Sequence, residues 1–143
     1  MQKSKNAFTM VELVFVIVIL GILSAIAFPR LAATRTDATI SKGAADVASI
    51  RSGIVTERQS RLIKGQKNFI ANGTGAGQLD NGGLFGGVLM YPIASSSGNG
   101  WSGTAGSGTY TYSVEGSANA FTYTPADGKF LCTSGSECSQ LSE

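Results

Sequence analysis

The chain has 143 residues, a formal net charge of +2 and 14% charged residues, together with 19 glycines and no histidine. This length suits one small domain behind an N-terminal segment. The missing histidine removes the commonest general base and the commonest metal ligand, and the small net charge does not support a nucleic-acid-binding role. Since no paired carboxylates or nucleophile–base spacing stand out either, we expect no enzyme, no cofactor and no metal site.

The N-terminal part begins with a basic leader, MQKSKNA at residues 1–7, which precedes an apolar run at residues 8–28. As an α-helix the run would span about 31 Å, roughly the hydrocarbon thickness of a bilayer. It is too long for the apolar region of an ordinary signal peptide, and the leader lysines predict that this end stays cytoplasmic. Glu12 lies inside the run, where an unpaired carboxylate costs about 2.5–3.5 kcal/mol. This carboxylate therefore needs a partner.

The sequence AFTMVEL at residues 7–13, continued by VFVIVILGILSAIAFPRL, resembles the class III signal of type IV pilins and type II secretion pseudopilins. The resemblance implies that a prepilin peptidase cuts between Ala7 and Phe8 and that the new N-terminus at Phe8 is methylated. This chain has Ala7 where the family usually has glycine. Alanine is also small, so we expect the cut to occur here.

Cleavage after Ala7 would create a charged amine at Phe8, close to Glu12. Residues four apart share a helix face, so the two groups could pair within one chain. In an assembly, Glu12 of one subunit could instead pair with the Phe8 amine of its neighbour. A wrong stagger would leave a buried charge, which costs several kcal/mol. We interpret Glu12 and Phe8 as a register device for stacking helices; the alternative is a glutamate that snorkels to one membrane face.

Gly21 and Pro29 are predicted weak points of this helix. Pro29 has no N–H, which leaves the Ala25 carbonyl without its partner and predicts a bend. Gly21 lowers the helix propensity by about 1 kcal/mol relative to alanine. The resemblance implies that the stretch between them loosens in an assembled filament. The alternative is an ordinary glycine and proline of a membrane helix.

Residues 29–64 are predicted to continue the helix in amphipathic form and to end at Gly65. The apolar stripe consists of Ile40, Val47, Ile50 and Ile54, and Ala44, Ala48 and Leu62 lie close to it. We expect most of this stripe to pack against a sheet. The basic residues near the helix end are Arg51, Arg58, Arg61, Lys64 and Lys67. We interpret them as a solvated face with pairs such as Glu57–Arg61 rather than as a DNA surface.

Residues 65–143 are predicted to form an antiparallel sheet domain with Gly/Ser-rich loops. Strands are expected at residues 109–114, 120–124 and 129–132, with a possible fourth at residues 84–90. Trp101 lies in a predicted loop at residues 95–108, and we expect it to pack on the sheet rather than to form a binding hot spot. The fold class is α+β: a long N-terminal helix on a small sheet of three to four strands, which is pilin-like as the resemblance implies.

Two cysteines, Cys132 and Cys138, stand six residues apart. In an exported protein they predict a disulfide, whereas in a cytosolic protein they would be two thiols. In pilins such a C-terminal loop contributes to subunit contacts or surface binding, and this role is implied by the resemblance alone. Asp80, Asp127, Glu137 and Glu143 are too scattered to predict a calcium site.

These features predict a structural subunit of a type IV pilus-like helical filament, which performs no chemistry. The chain would be stored in the bacterial inner membrane with its C-terminal domain in the periplasm. Its expected partners are the lipid bilayer before assembly, prepilin peptidase, an inner-membrane assembly platform and further copies of itself; nucleic acid is not expected. The alternative is a pseudopilin of a type II secretion or DNA-uptake machine. A more distant alternative is a membrane-anchored or secreted binding domain.

Overall fold

The computed structural model describes residues 8–142, so the predicted leader 1–7, Ala7 and Glu143 lie outside the described part. The elements are α1 (Met10–Ile63), β1 (Gly100–Ser102), β2 (Thr109–Val114), β3 (Ser117–Thr124), β4 (Lys129–Ser134) and α2 (Cys138–Leu141). The chain divides into two compact units, one ending at Arg35 and one beginning at Thr36. The α+β class predicted from the sequence is confirmed.

The first unit consists of the apolar half of α1. Its large hydrophobic side chains, from Phe8 to Leu31, are all exposed. By length and composition α1 is able to cross a bilayer. The helix assignment continues without a break through Gly21 and Pro29, and the predicted single helix over residues 8–64 is confirmed to within two residues at each end.

Gly65 ends α1, as the sequence predicts. It adopts a φ of 78°, which favours glycine because it carries no Cβ. The Gly65 N–H donates to the Leu62 carbonyl at 3.0 Å, and the Gln66 N–H donates to the Arg61 carbonyl at 2.9 Å. These two bonds form a Schellman motif, which satisfies carbonyls of the last turn.

The second unit contains a four-stranded antiparallel sheet in the order β1-β2-β3-β4. Alternate residues of β2 are buried, so the TYTYSV pattern places its aromatic residues on the face toward α1. Register pairs on this face join aromatic residues directly across neighbouring strands: Trp101 with Tyr112, Tyr110 with Phe121, and Tyr123 with Phe130. Strands β2, β3 and β4 confirm the three predicted strands, with β3 and β4 longer than expected.

The strand predicted at residues 84–90 is wrong. Those residues form turns, and Leu84 makes only an isolated bridge with Ile93. Phe85 has a φ of 59°, and its buried ring lies 5.4 Å from the ring of Trp101. Leu84 and Phe85 are apolar because their side chains enter the core from a turn, whereas Met90 is exposed. The fourth strand is instead β1, inside the predicted loop at residues 95–108.

Val47, Ile50 and Ile54 of α1 are buried in one core with the inner face of the sheet. Trp101 belongs to the same core and is 2% exposed, which confirms that it packs on the sheet. Ala48 and Leu62 are exposed, so their place in the predicted stripe is wrong. Ala48 lies about 100° around the helix from Val47. At the helix end, Arg58 and Arg61 occupy the positions that continue the stripe.

Candidate functional site

The beginning of α1 carries a reciprocal pair of hydrogen bonds between Thr9 and Glu12. The Thr9 backbone N–H and hydroxyl both donate to Glu12 Oε2, at 2.8 and 2.9 Å. In return, the Glu12 N–H donates to the Thr9 hydroxyl oxygen at 3.2 Å. This arrangement is a capping box, which satisfies two backbone N–H groups at the helix start. This capping box was not predicted, although the Thr-x-x-Glu spacing at residues 9–12 is its sequence signature.

The Glu12 carboxylate is therefore satisfied by its own helix in the uncut chain. Phe8 is joined to Ala7 by a peptide bond, so it has no free amine with which Glu12 could pair. The pair between Glu12 and the Phe8 amine requires the cleaved chain and stays a prediction.

The surface around Glu12 is apolar on all sides of the helix. A shallow groove is lined by Met10, Val11, Val14, Phe15 and Val18. The side chains on the remaining faces are exposed hydrophobics as well. A helix that is apolar all round is one that requires lipid or neighbouring helices.

Gly21 lies on an open part of the helix surface. Within the described residues, nothing lies within 4 Å of the position that a Cβ on Gly21 would take. The proposed flexibility between Gly21 and Pro29 in a filament stays a prediction.

The predicted disulfide is present: Cys132 and Cys138 are bonded, with their Cα atoms 5.6 Å apart. Asn119, fully buried in β3, anchors the loop that this bond closes. Its amide donates to Glu137 Oε2 at 3.0 Å, and its carbonyl oxygen accepts from the Glu137 N–H at 3.0 Å. Hydrogen bonds from Ser136 and Asn119 lower the pKa of the Glu137 carboxyl. The loop's role in subunit contacts stays a prediction.

Basic residues near the end of α1 bond to other groups of the second unit. Arg51 donates to the carbonyls of Phe130 and Ser142, at 3.1 and 3.0 Å. Arg61 pairs with Glu57 at 3.0 Å, as predicted, and also donates to the Gly77 carbonyl. The expectation of a solvated face is therefore wrong for Arg51 and Arg61, because carbonyls of β4, of Ser142 and of Gly77 accept hydrogen bonds from them.

Asp80, one of several acids that lie scattered in the sequence, is buried in the second unit. Asp80 is 1% exposed. Its carboxylate accepts hydrogen bonds from the Phe85 N–H at 2.9 Å, the Gly106 N–H at 2.7 Å and the Tyr110 hydroxyl at 2.7 Å. Burial, together with this carboxylate, raises the pKa of Tyr110. Asp80 therefore joins two loops to β2. The one sign of this role in the sequence is that Asp80 directly precedes the Asn-Gly-Gly turn.

Within residues 8–142, no three acidic or cysteine side chains come together as metal ligands. Residues 2–28 match a family model described as the prokaryotic N-terminal methylation motif. No curated protein and no solved structure matches the chain. The chain thus carries the prokaryotic N-terminal methylation motif, the signal of type IV pilins and pseudopilins.

Proposed function

We propose that this protein is a structural subunit of a type IV pilus-like helical filament. Prepilin peptidase would cut it after Ala7, and the methylated chain would wait in the inner membrane until an assembly platform incorporates it. One observation carries the proposal: the methylation motif, at residues 2–28, extends over the apolar half of α1, where the large hydrophobic side chains from Phe8 to Leu31 are all exposed and Glu12 is the single carboxylate among them. Lipid would cover this surface in storage, and helices of other copies would cover it in the filament.

Glu12 has two separable tasks under this proposal. In the uncut chain it caps its own helix through Thr9. After cleavage its charge becomes the partner of the Phe8 amine of a neighbouring subunit. Inside an apolar bundle the two charges are stable only when paired, so a subunit with the wrong axial stagger is rejected at a cost of several kcal/mol.

Two variants separate these tasks. Glutamine also serves at this position of a capping box, so Glu12→Gln keeps the cap and removes the charge. Thr9→Ala keeps the charge and removes the capping hydroxyl. We expect Glu12→Gln to insert into the membrane but to yield no sheared filaments, whereas Thr9→Ala still assembles. Normal filaments from Glu12→Gln would refute the register argument.

The processing step is tested by intact mass analysis of the mature protein. We expect a chain that begins at Phe8 and carries one added methyl group. A chain that keeps residues 1–7, or one that begins beyond Ala27, would support the membrane-anchored or secreted binding domain instead.

A pseudopilin of a type II secretion or DNA-uptake machine is the second candidate, because the methylation motif serves both classes. Electron microscopy of sheared surface fractions separates them. Long extracellular fibres that contain this protein support the pilus, and its confinement to the periplasm supports the pseudopilus.

A further inference from the structure

Three asparagine–glycine dipeptides lie in the second unit, at residues 72–73, 81–82 and 99–100. In such a dipeptide the backbone nitrogen of the glycine is able to attack the side-chain amide carbon of the asparagine, because glycine has no side chain to hinder the approach. The reaction requires an asparagine side chain that turns freely and a glycine N–H that water reaches. The same two residues thus occur three times in one chain, and their surroundings differ.

The surroundings of Asn72 oppose this reaction. Its side chain is half-buried, and a Cβ on Gly108 would overlap it. The side chain of Gln78 lies against Gly73, and the Gly73 carbonyl accepts a hydrogen bond from the Asp80 N–H at 2.9 Å. Both reacting groups are therefore held in place, and this loop would have to open locally before they meet.

Asn99 is exposed, but both polar atoms of its side chain are bonded to Glu115. The Glu115 N–H donates to Asn99 Oδ1 at 2.9 Å, and Asn99 Nδ2 donates to Glu115 Oε1 at 3.0 Å. The glycine that would attack, Gly100, is buried at the start of β1, where it is the register partner of Ser113. The amide carbon is thus fixed, and the attacking nitrogen belongs to the sheet.

Asn81 differs from both of these residues. Asn81 and Gly82 are exposed, and the Asn81 side chain forms no hydrogen bond within residues 8–142. In the same part of the chain, no acceptor bonds to the Gly82 N–H. Nothing described lies within 4 Å of the position that a Cβ on Gly82 would take. Both reacting groups are therefore open to water and free of competing bonds.

From this contrast we infer that Asn81 is a site of deamidation in the folded protein. The Gly82 nitrogen bonds to Cγ of Asn81 and gives its proton to water or hydroxide, while the side-chain NH₂ takes a proton from water and leaves as ammonia. Water then opens the succinimide ring at either of its carbonyl groups, which yields aspartate or isoaspartate. The reaction involves no residue of α1, so it is independent of the proposed filament role.

The modification has consequences for charge and for the main chain. Either product adds a negative charge to an exposed turn of the second unit. Isoaspartate also inserts a methylene group into the main chain between Asp80 and Phe85. The Asp80 carboxylate accepts a hydrogen bond from the Phe85 N–H at 2.9 Å, so the added methylene lies inside a loop that this bond closes.

The test is peptide mass spectrometry of the detergent-solubilised full chain during storage at mildly alkaline pH. Chymotrypsin cuts after large apolar residues, so cuts after Leu79, Phe85 and Trp101 place the three asparagines in separate peptides. We expect the peptide that contains Asn81 to exchange NH₂ for OH at least about tenfold faster than the other two. This ratio corresponds to an opening free energy of about 1.4 kcal/mol at the protected sites.

Two controls show whether the structure causes the difference. In denaturant the three dipeptides should react at similar rates, because they consist of the same residues. Asn81→Gln keeps an exposed amide but would have to close a larger ring, so its peptide should stay unchanged over the same period. The inference is overturned if Asn81 reacts no faster than the other two asparagines in the folded chain. Equal rate ratios in the folded and the denatured chain would overturn it too, because the sequence alone would then set the rates.

Discussion

Replacing the buried carboxylate of Asp80 by an amide should destabilise the second unit strongly. In Asp80→Asn, the single remaining carbonyl oxygen is able to serve Gly106 and Tyr110, but the new NH₂ group then faces the Phe85 N–H, which also donates. Hydrogen bonds to a charged group contribute about 1.5–3 kcal/mol, and a buried donor without an acceptor costs about 1–3 kcal/mol. We therefore expect the free energy of unfolding to fall by about 2–4 kcal/mol.

Denaturant unfolding of the detergent-solubilised chain, followed by Trp101 fluorescence, measures this loss. Trp101 reports on the site because it packs edge-on against Phe85, whose N–H is bound by Asp80. The matched control is Asp127→Asn, which removes the same charge from an exposed carboxylate paired with Lys129. We expect the control to lose at most about 1 kcal/mol. If Asp80→Asn is as stable as Asp127→Asn, the argument that this carboxylate holds the loops together is refuted.

Three further perturbations test other parts of the second unit. Burial raises the pKa of Tyr123 to about 12. Because the Tyr123 hydroxyl therefore ionises at lower pH in the unfolded chain than in the folded one, stability should fall between about pH 10 and 12. In unfolding experiments at a series of pH values, Tyr123→Phe should make this fall shallower. Gly53→Ala would place a Cβ against the Val88 carbonyl. This overlap should lower the free energy of unfolding by about 1–3 kcal/mol, although alanine has the better helix propensity. An unchanged free energy of unfolding would contradict this close packing. Reduction of the Cys132–Cys138 bond should cost about 2 kcal/mol in unfolding experiments with and without a thiol reductant, and an equal midpoint in both would contradict it.

Features set by local chemistry could be predicted from the sequence. The alternating TYTYSV pattern predicts β2 at its observed bounds, and Gly65 after basic residues predicts the end of α1. Glu12 stood out because a charge inside an apolar run is costly wherever the helix lies. In each case the nearest few residues contain the physical reason, so no knowledge of the tertiary fold was needed.

Features set by distant contacts could not be predicted. Residues 84–90 look like a strand because they are apolar, but Asp80 binds the Phe85 N–H and holds them in a turn. The strand β1 has a sequence typical of a loop, and it forms because Trp101 is buried opposite Tyr112. The hydrogen bonds of Asp80 likewise depend on residues from separate segments, Phe85, Gly106 and Tyr110.

The bonds from α1 to the end of the chain have a consequence for the order of folding. Arg51 binds carbonyls that lie 79 and 91 residues later in the sequence, and the Tyr112 hydroxyl donates to the Thr39 carbonyl across 73 residues. If the chain crosses the membrane from its N-terminal side onward, the buried stripe of α1 arrives long before the strands that cover it. The stripe would then remain open to water or to chaperones until the last residues emerge. Truncation of even a few C-terminal residues would remove the Ser142 carbonyl that Arg51 binds and should therefore leave this end of the stripe less well covered after export is complete.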